Sequence, residues 1–114
     1  MDITTETYQV TYDDTTQTII FHGSLRLSGM EEYTPIIDLL HQIADQRPTS
    51  MSLDLRNLQF LNSSGINVLS KFVIRVRQYK NIALFIIGSK DIPWQGKSLK
   101  NLQRLMPQLQ LEWE

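Results

Sequence analysis

Two adjacent hydroxyls, Ser63 and Ser64, stand between a strong helix-capping residue, Asn62, and a glycine, Gly65. They follow an apolar strand, Met51 to Leu55, and precede a long amphipathic helix. The N–H groups that open a helix have no intrahelical partner, so that end attracts oxygen ligands and negative charge. Two kinds of chemistry fit. Asn62 and Ser63 are both good N-caps, a role worth ~1 kcal/mol. A serine at this position can also carry a phosphate, which a helix start accommodates. Gly65 fits both: its missing side chain leaves Ser63 accessible to a modifying enzyme, and it permits close packing of the helix.

The other reactive residue types point nowhere comparable. Ser63 as a nucleophile would need His22 or His41 as base and Asp54 to orient it. His22 falls at a strand end and His41 within a helix, and no spacing brings either to Ser63. Two histidines without any cysteine make a poor metal site. No catalytic role, metal or cofactor is therefore expected. Lys71, Arg75, Arg77, Lys80, Lys90, Lys97, Lys100 and Arg104, with Phe72, Tyr79 and Trp94, raise a nucleic-acid reading. At helical spacing Lys71, Arg75 and Gln78 share a solvent stripe that Arg77 leaves, so a solvated helix face is the simpler account. No nucleic-acid partner is expected. Trp94, framed by Pro93 and Gly96, is either a partner anchor or a ring buried against the sheet edge; burial is favoured.

The elements around these residues follow from periodicity. Tyr8–Tyr12 and Thr18–His22 read as a hairpin around Asp13–Gln17. Gly23–Gly29 is an irregular connection. From Glu31, Tyr33, Ile36, Ile37, Leu40, Ile43 and Ala44 recur at helical spacing until Pro48. Met51–Leu55 is a strand, and a helix runs from about Ser64 to Lys80. Ile82–Gly88 is apolar without alternation, as expected of a strand covered on both faces. Pro93 to Pro107 frames a third helix, and Leu109, Leu111 and Trp113 alternate with polar residues as a last strand. Strands alternating with helices force crossovers and a mixed or parallel sheet.

The chain has 114 residues, of which 41% are hydrophobic, enough for one core. It is expected to be a single domain over 1–114, with its core at about 7–113. No apolar run approaches the roughly 20 residues of a membrane span. The polar, acidic start differs from a signal peptide, and without cysteine there is no disulfide framework. A cytoplasmic location is expected. Residues 1–54 carry nine acidic and two basic groups, whereas residues 55–104 carry nine basic and one acidic. In so short a chain these read as halves of one fold that neutralise each other.

The run Leu53-Asp54-Leu55-Arg56-Asn57-Leu58-Gln59-Phe60-Leu61-Asn62-Ser63-Ser64-Gly65-Ile66-Asn67-Val68-Leu69 resembles the central signature of STAS domains, the fold of bacterial anti-sigma-factor antagonists. That signature passes from a strand ending in aspartate, through a short apolar loop, to Asp-Ser-Ser-Gly opening a helix. The flanking pattern is similar from about residue 7 to 113. The resemblance implies an α/β, single STAS-like domain with a mixed central sheet of about five strands and helices packed against it. It further implies a non-enzymatic regulator whose Ser63, with Ser64 as fallback, is phosphorylated by a serine kinase of the anti-sigma-factor type. A serine phosphatase would reverse this, and the unphosphorylated form would bind its partner through Asn62, Ser63, Ser64, Gly65 and Asn67. Two features depart from the pattern: Asn62 replaces the family's aspartate, and the Gly23–Glu32 connection differs from a short Gly-x-Leu-Asp turn. The rival is a constitutive scaffold module that uses the same surface without modification.

Overall fold

The computed structural model describes residues 2–114. The hairpin forms as its alternation requires. β2 (Tyr8–Asp13) and β3 (Thr18–Leu25) run antiparallel, with Val10 opposite Phe21 and Tyr12 opposite Ile19. β1 (Asp2–Thr4) adds to the outer edge, placing Ile3 opposite Val10. Among the described residues the sheet therefore has six strands rather than about five. With a single apolar residue, β1 offered no alternation to read.

Crossovers build the rest. α1 (Gly29–Glu32) and α2 (Thr34–Asp45) lead to β4 (Ser50–Leu61), α3 (Ser63–Tyr79) leads to β5 (Ala83–Gly88), and α4 (Gln95–Leu105) leads to β6 (Gln110–Trp113). The sheet order is β1-β2-β3-β4-β5-β6. β3 to β6 run parallel, as helical crossovers demand. The expected first helix is two helices broken at Tyr33, where the second starts with Pro35 in its first turn. Among the described residues no helix is long and apolar enough to cross a membrane.

The core lies on one face of the sheet. Ile19, Phe21, Met51, Leu53, Leu84 and Ile86 point inward from the strands, and Ile36, Leu40, Ile43, Leu69, Phe72, Val76, Leu99 and Leu102 meet them from the helices. Burial alternates along β5: Leu84, Ile86 and Gly88 are buried, while Phe85 and Ile87 stay partly exposed. The expectation that this strand is covered on both faces is thus corrected. Its apolar outward residues belong to an open face.

β4 is the element that reaches the site, and it is longer than the Met51–Leu55 run suggested. Against β3 its register slips by one residue twice, between the partners of Ile20 and His22 and again between those of Gly23 and Ser24. Each bulge inserts a residue, so the inward positions Leu55, Leu58 and Leu61 come three apart. Pairing with β5 stops at Asp54, and beyond it side chains at the start of α4 satisfy the freed carbonyls. The Gln95 amide donates to the carbonyls of Leu55 (2.6 Å) and Leu58 (3.3 Å), and the Trp94 indole N–H donates to that of Leu58 (3.0 Å). Gln95 Oε1 accepts from the Ser89 N–H at 2.7 Å. Trp94 is accordingly packed and hydrogen-bonded in the fold. Gln95 is fully buried.

Candidate functional site

β4 delivers Asn62 to the sheet end, where its backbone N–H donates to the Leu25 carbonyl (3.2 Å). Its φ of −80° and ψ of 177° are extended, which makes it the N-cap of α3. Asn62 Oδ1 accepts from the Gly65 N–H at 3.0 Å and from the Tyr33 hydroxyl at 2.7 Å. Asn62 Nδ2 donates to the Leu27 carbonyl at 2.8 Å. One side chain thus ties together the start of α3, the α1–α2 junction and the segment after β3. The last of these bonds needs an amide, because a carboxylate has no proton to donate. An asparagine at position 62, unlike an aspartate, can therefore hold the segment after β3 through the Leu27 carbonyl. Burial pushes the Tyr33 phenol up to about 12, outweighing the opposing influence of the Leu27 backbone. Tyr33 stays a protonated donor at any physiological pH.

Capping by Asn62 settles the choice between two candidate caps and leaves Ser63 unused. Ser63 is the first helical residue and is exposed. Its hydroxyl has no hydrogen-bond partner among the described residues, and neither does that of the partly buried Ser64. The Ile66 N–H donates to the Asn62 carbonyl (3.0 Å). With the Gly65 N–H on the Asn62 amide, the N–H groups of Ser63 and Ser64 are left facing outward without acceptors in the described fold. The first turn of α3 carries no acidic residue. An anion on Ser63 would meet unpaired donors and the positive end of a 17-residue helix. Asn67 lies exposed one turn further along.

Gly65 has a packing role. A Cβ there would overlap the Leu61 side chain and stand 2.7 Å from the Tyr33 hydroxyl oxygen. Its bareness seats α3 on Leu61 and on the tyrosine that Asn62 holds. Of the two readings open in the sequence, close packing is the one with a geometric basis.

The imagined catalytic partners lie elsewhere. Asp54 is buried on the open sheet face and receives three hydrogen bonds from Arg56, from its backbone N–H (3.1 Å), Nε (3.0 Å) and Nη2 (2.8 Å). Burial works to raise the Asp54 pKa, but the Arg56 hydrogen bonds and charge together lower it. His22 is exposed on β3, and His41 is partly buried on α2. Of the anticipated set, Asn62 is the cap of α3, Ser63, Ser64 and Gly65 lie in its first turn, and Asn67 opens the next. Sequence reasoning missed Tyr33 and Leu27, whose links to Asn62 span 29 and 35 residues and carry no local signal.

No protein-family model and no curated protein matches the sequence. The fold has solved counterparts. Apo-SiaC from Pseudomonas aeruginosa superposes with a TM-score of 0.73 at 14% identity, over 100% of this chain and 98% of that one. A chain of the complex of the diguanylate cyclase SiaD with its activator SiaC, from the same organism, gives 0.72 at 15% identity, over 100% and 99%. A further SiaC structure gives 0.66 at 13% identity, over 99% and 95%. At such identities the likeness establishes the fold alone, a mixed six-stranded sheet with helices packed against it.

Proposed function

We propose that this chain is a non-enzymatic regulatory domain that binds a protein partner through the surface at the start of α3, and that reversible phosphorylation of Ser63 switches the binding. The observation that carries the reading is the division of labour at the helix start. Asn62 does the capping, so the exposed Ser63 hydroxyl is left with no role in the fold. Ser64, half covered, is the fallback acceptor. A serine kinase of the anti-sigma-factor type would add the phosphate and a serine phosphatase would remove it. SiaC activates the diguanylate cyclase SiaD, and the regulated partner here is of comparable kind, a protein whose activity the unmodified domain alters by docking.

The energetics favour a switch in the interface rather than in the fold. A phosphoserine adds roughly −1.5 to −2 charges, and helix-end amides return ~0.3–1 kcal/mol of that burden. Against a docked partner, one like-charge pair at about 4 Å in an effective dielectric of about 20 costs about 4 kcal/mol. That corresponds to a loss of affinity on the order of several hundredfold, before salt screening reduces it. Intact-mass and peptide analysis of protein from its native cells should locate phosphate on Ser63, and Ser63→Ala should abolish it. Rebinding of the co-purified partner should survive Ser63→Ala and fall at least about tenfold with Ser63→Asp. Phosphate found only at other residues would overturn the reading.

A further inference from the structure

The ends of β3 and β4, where the chain leads into Asn62 and Ser63, carry a cation and a ring that the switch alone does not use. Arg26, one of only two basic residues in the first 54, is exposed and has no ion-pair partner among the described residues. Its guanidinium lies over the Phe60 ring, 4.5 Å from the centroid. Phe60 is 37% exposed, and every other large apolar side chain among the described residues is better covered. The pair sits at the ends of β3 and β4, where Ser24 is opposite Phe60 and Leu25 opposite Leu61. An open groove of about 370 Å³ runs alongside, lined by Thr7, Ser24, Arg26 and Leu27. The Asn62 backbone and side chain hold the carbonyls of Leu25 and Leu27. Arg26 is thereby fixed between two residues bonded to the one that precedes Ser63.

We infer that Arg26 and Phe60 form the anchor of the docking surface, and that its occupant is a protein segment pairing an acidic side chain with an apolar one. The carboxylate takes the Arg26 guanidinium, and the apolar side chain takes the uncovered edge of the Phe60 ring and the groove beside it. Charge complementarity selects this occupant: among the described residues the local cation is unpaired, Thr7 and Ser24 add only neutral hydroxyls, and no carboxylate lines the groove. An arginine stacked on an aromatic ring is also a common core of protein interfaces. The switch then gains a second arm, which rests on Ser63 being the phosphate acceptor. A phosphate on Ser63 competes with the partner's carboxylate for the same guanidinium.

Two measurements test this. Random short peptides displayed on phage are panned on the unmodified protein. Enriched sequences should combine Asp or Glu with a large apolar residue, and their binding should fall at least about tenfold with Arg26→Glu and with Phe60→Ala. No enrichment, sequences without an acidic residue, or undiminished binding to Arg26→Glu would overturn the surface. In the second, phosphoserine is installed at position 63 during translation and its second ionisation is followed by phosphorus NMR. That pKa should lie about half a unit or more lower with Arg26 than with Arg26→Gln; equal values would refute the competition. Neither arm depends on a native kinase, so an absence of phosphate in native cells would sink the acceptor reading while leaving the peptide result to stand or fall alone.

Discussion

An asparagine in place of an aspartate at the head of α3 looks at first like a lost charge, and the hydrogen bonds say otherwise. Asn62 uses its oxygen for Tyr33 and Gly65 and its nitrogen for Leu27. Asn62→Asp would keep the first two bonds and set a carboxylate oxygen against the Leu27 carbonyl. We expect it to destabilise the fold by about 1–2 kcal/mol, the cost of an unpaired buried acceptor less a small helix-dipole gain. Urea unfolding at neutral pH measures this, and an unchanged midpoint would mean that the amide is dispensable. A second residue-scale effect concerns His41. Burial and then Arg75 lower its pKa below 6.5, with Asp45 and Asp38 opposing. As pH falls the unfolded chain takes up this proton first, so stability is complete above about pH 6.5 and declines below it until the folded ring also protonates. His41→Gln should flatten that decline, as urea midpoints at about pH 7.5 and 5.5 would record. An equal slope in both proteins would assign it to other groups.

At the scale of elements, the helix that carries Ser63 is positioned by what it lacks. α3 is rich in β-branched residues and weak in intrinsic propensity, so its seat on Leu61 and Tyr33 matters. Gly65→Ala should gain about 1 kcal/mol of helix propensity and lose more from the overlap with Leu61 and Tyr33, for a net cost of about 1–2 kcal/mol. A thermal melt that rises instead would show that Leu61 moves aside freely. This element was largely legible in the sequence: its apolar spacing, its capping residues and its length all follow from local pattern. β4 was legible only to Leu55. Its remaining inward residues recur every third position because of two bulges, and neither a period of two nor one of 3.6 describes them. The buried Gln95 was illegible for a related reason, since its partners exist only where β4 leaves β5.

For the whole molecule, the order of strands and helices was readable from the chain, whereas the number of covered sheet faces was not. β5 looked buried on both sides because Phe85 and Ile87 interrupt the alternation. They stand on the open face, where Ile20 and Ile87 flank Asp54 in register. The charge halves likewise meet only in places. Asp45 pairs with Arg75 at 2.9 Å, and Arg56 pairs with Asp54 and Glu114 at 2.8 Å each. Seven of the nine basic groups between residues 55 and 104 take part in no ion pair among the described residues, so neutrality is a property of the sum and not of local pairing. A sheet with one covered face makes a graded prediction. Ile86 is completely buried and points at the helices, so Ile86→Thr removes a methyl-sized volume and places a hydroxyl without a partner in the core. That should cost about 2–4 kcal/mol. Phe85→Thr and Ile87→Thr, one residue to either side, trade partly exposed apolar surface for a good strand former and should cost less than about 1.5 kcal/mol each. Equal losses at all three positions would mean that a second layer covers the open face in solution, most simply another copy of the chain, and protein-concentration dependence of the unfolding midpoint would then reveal it.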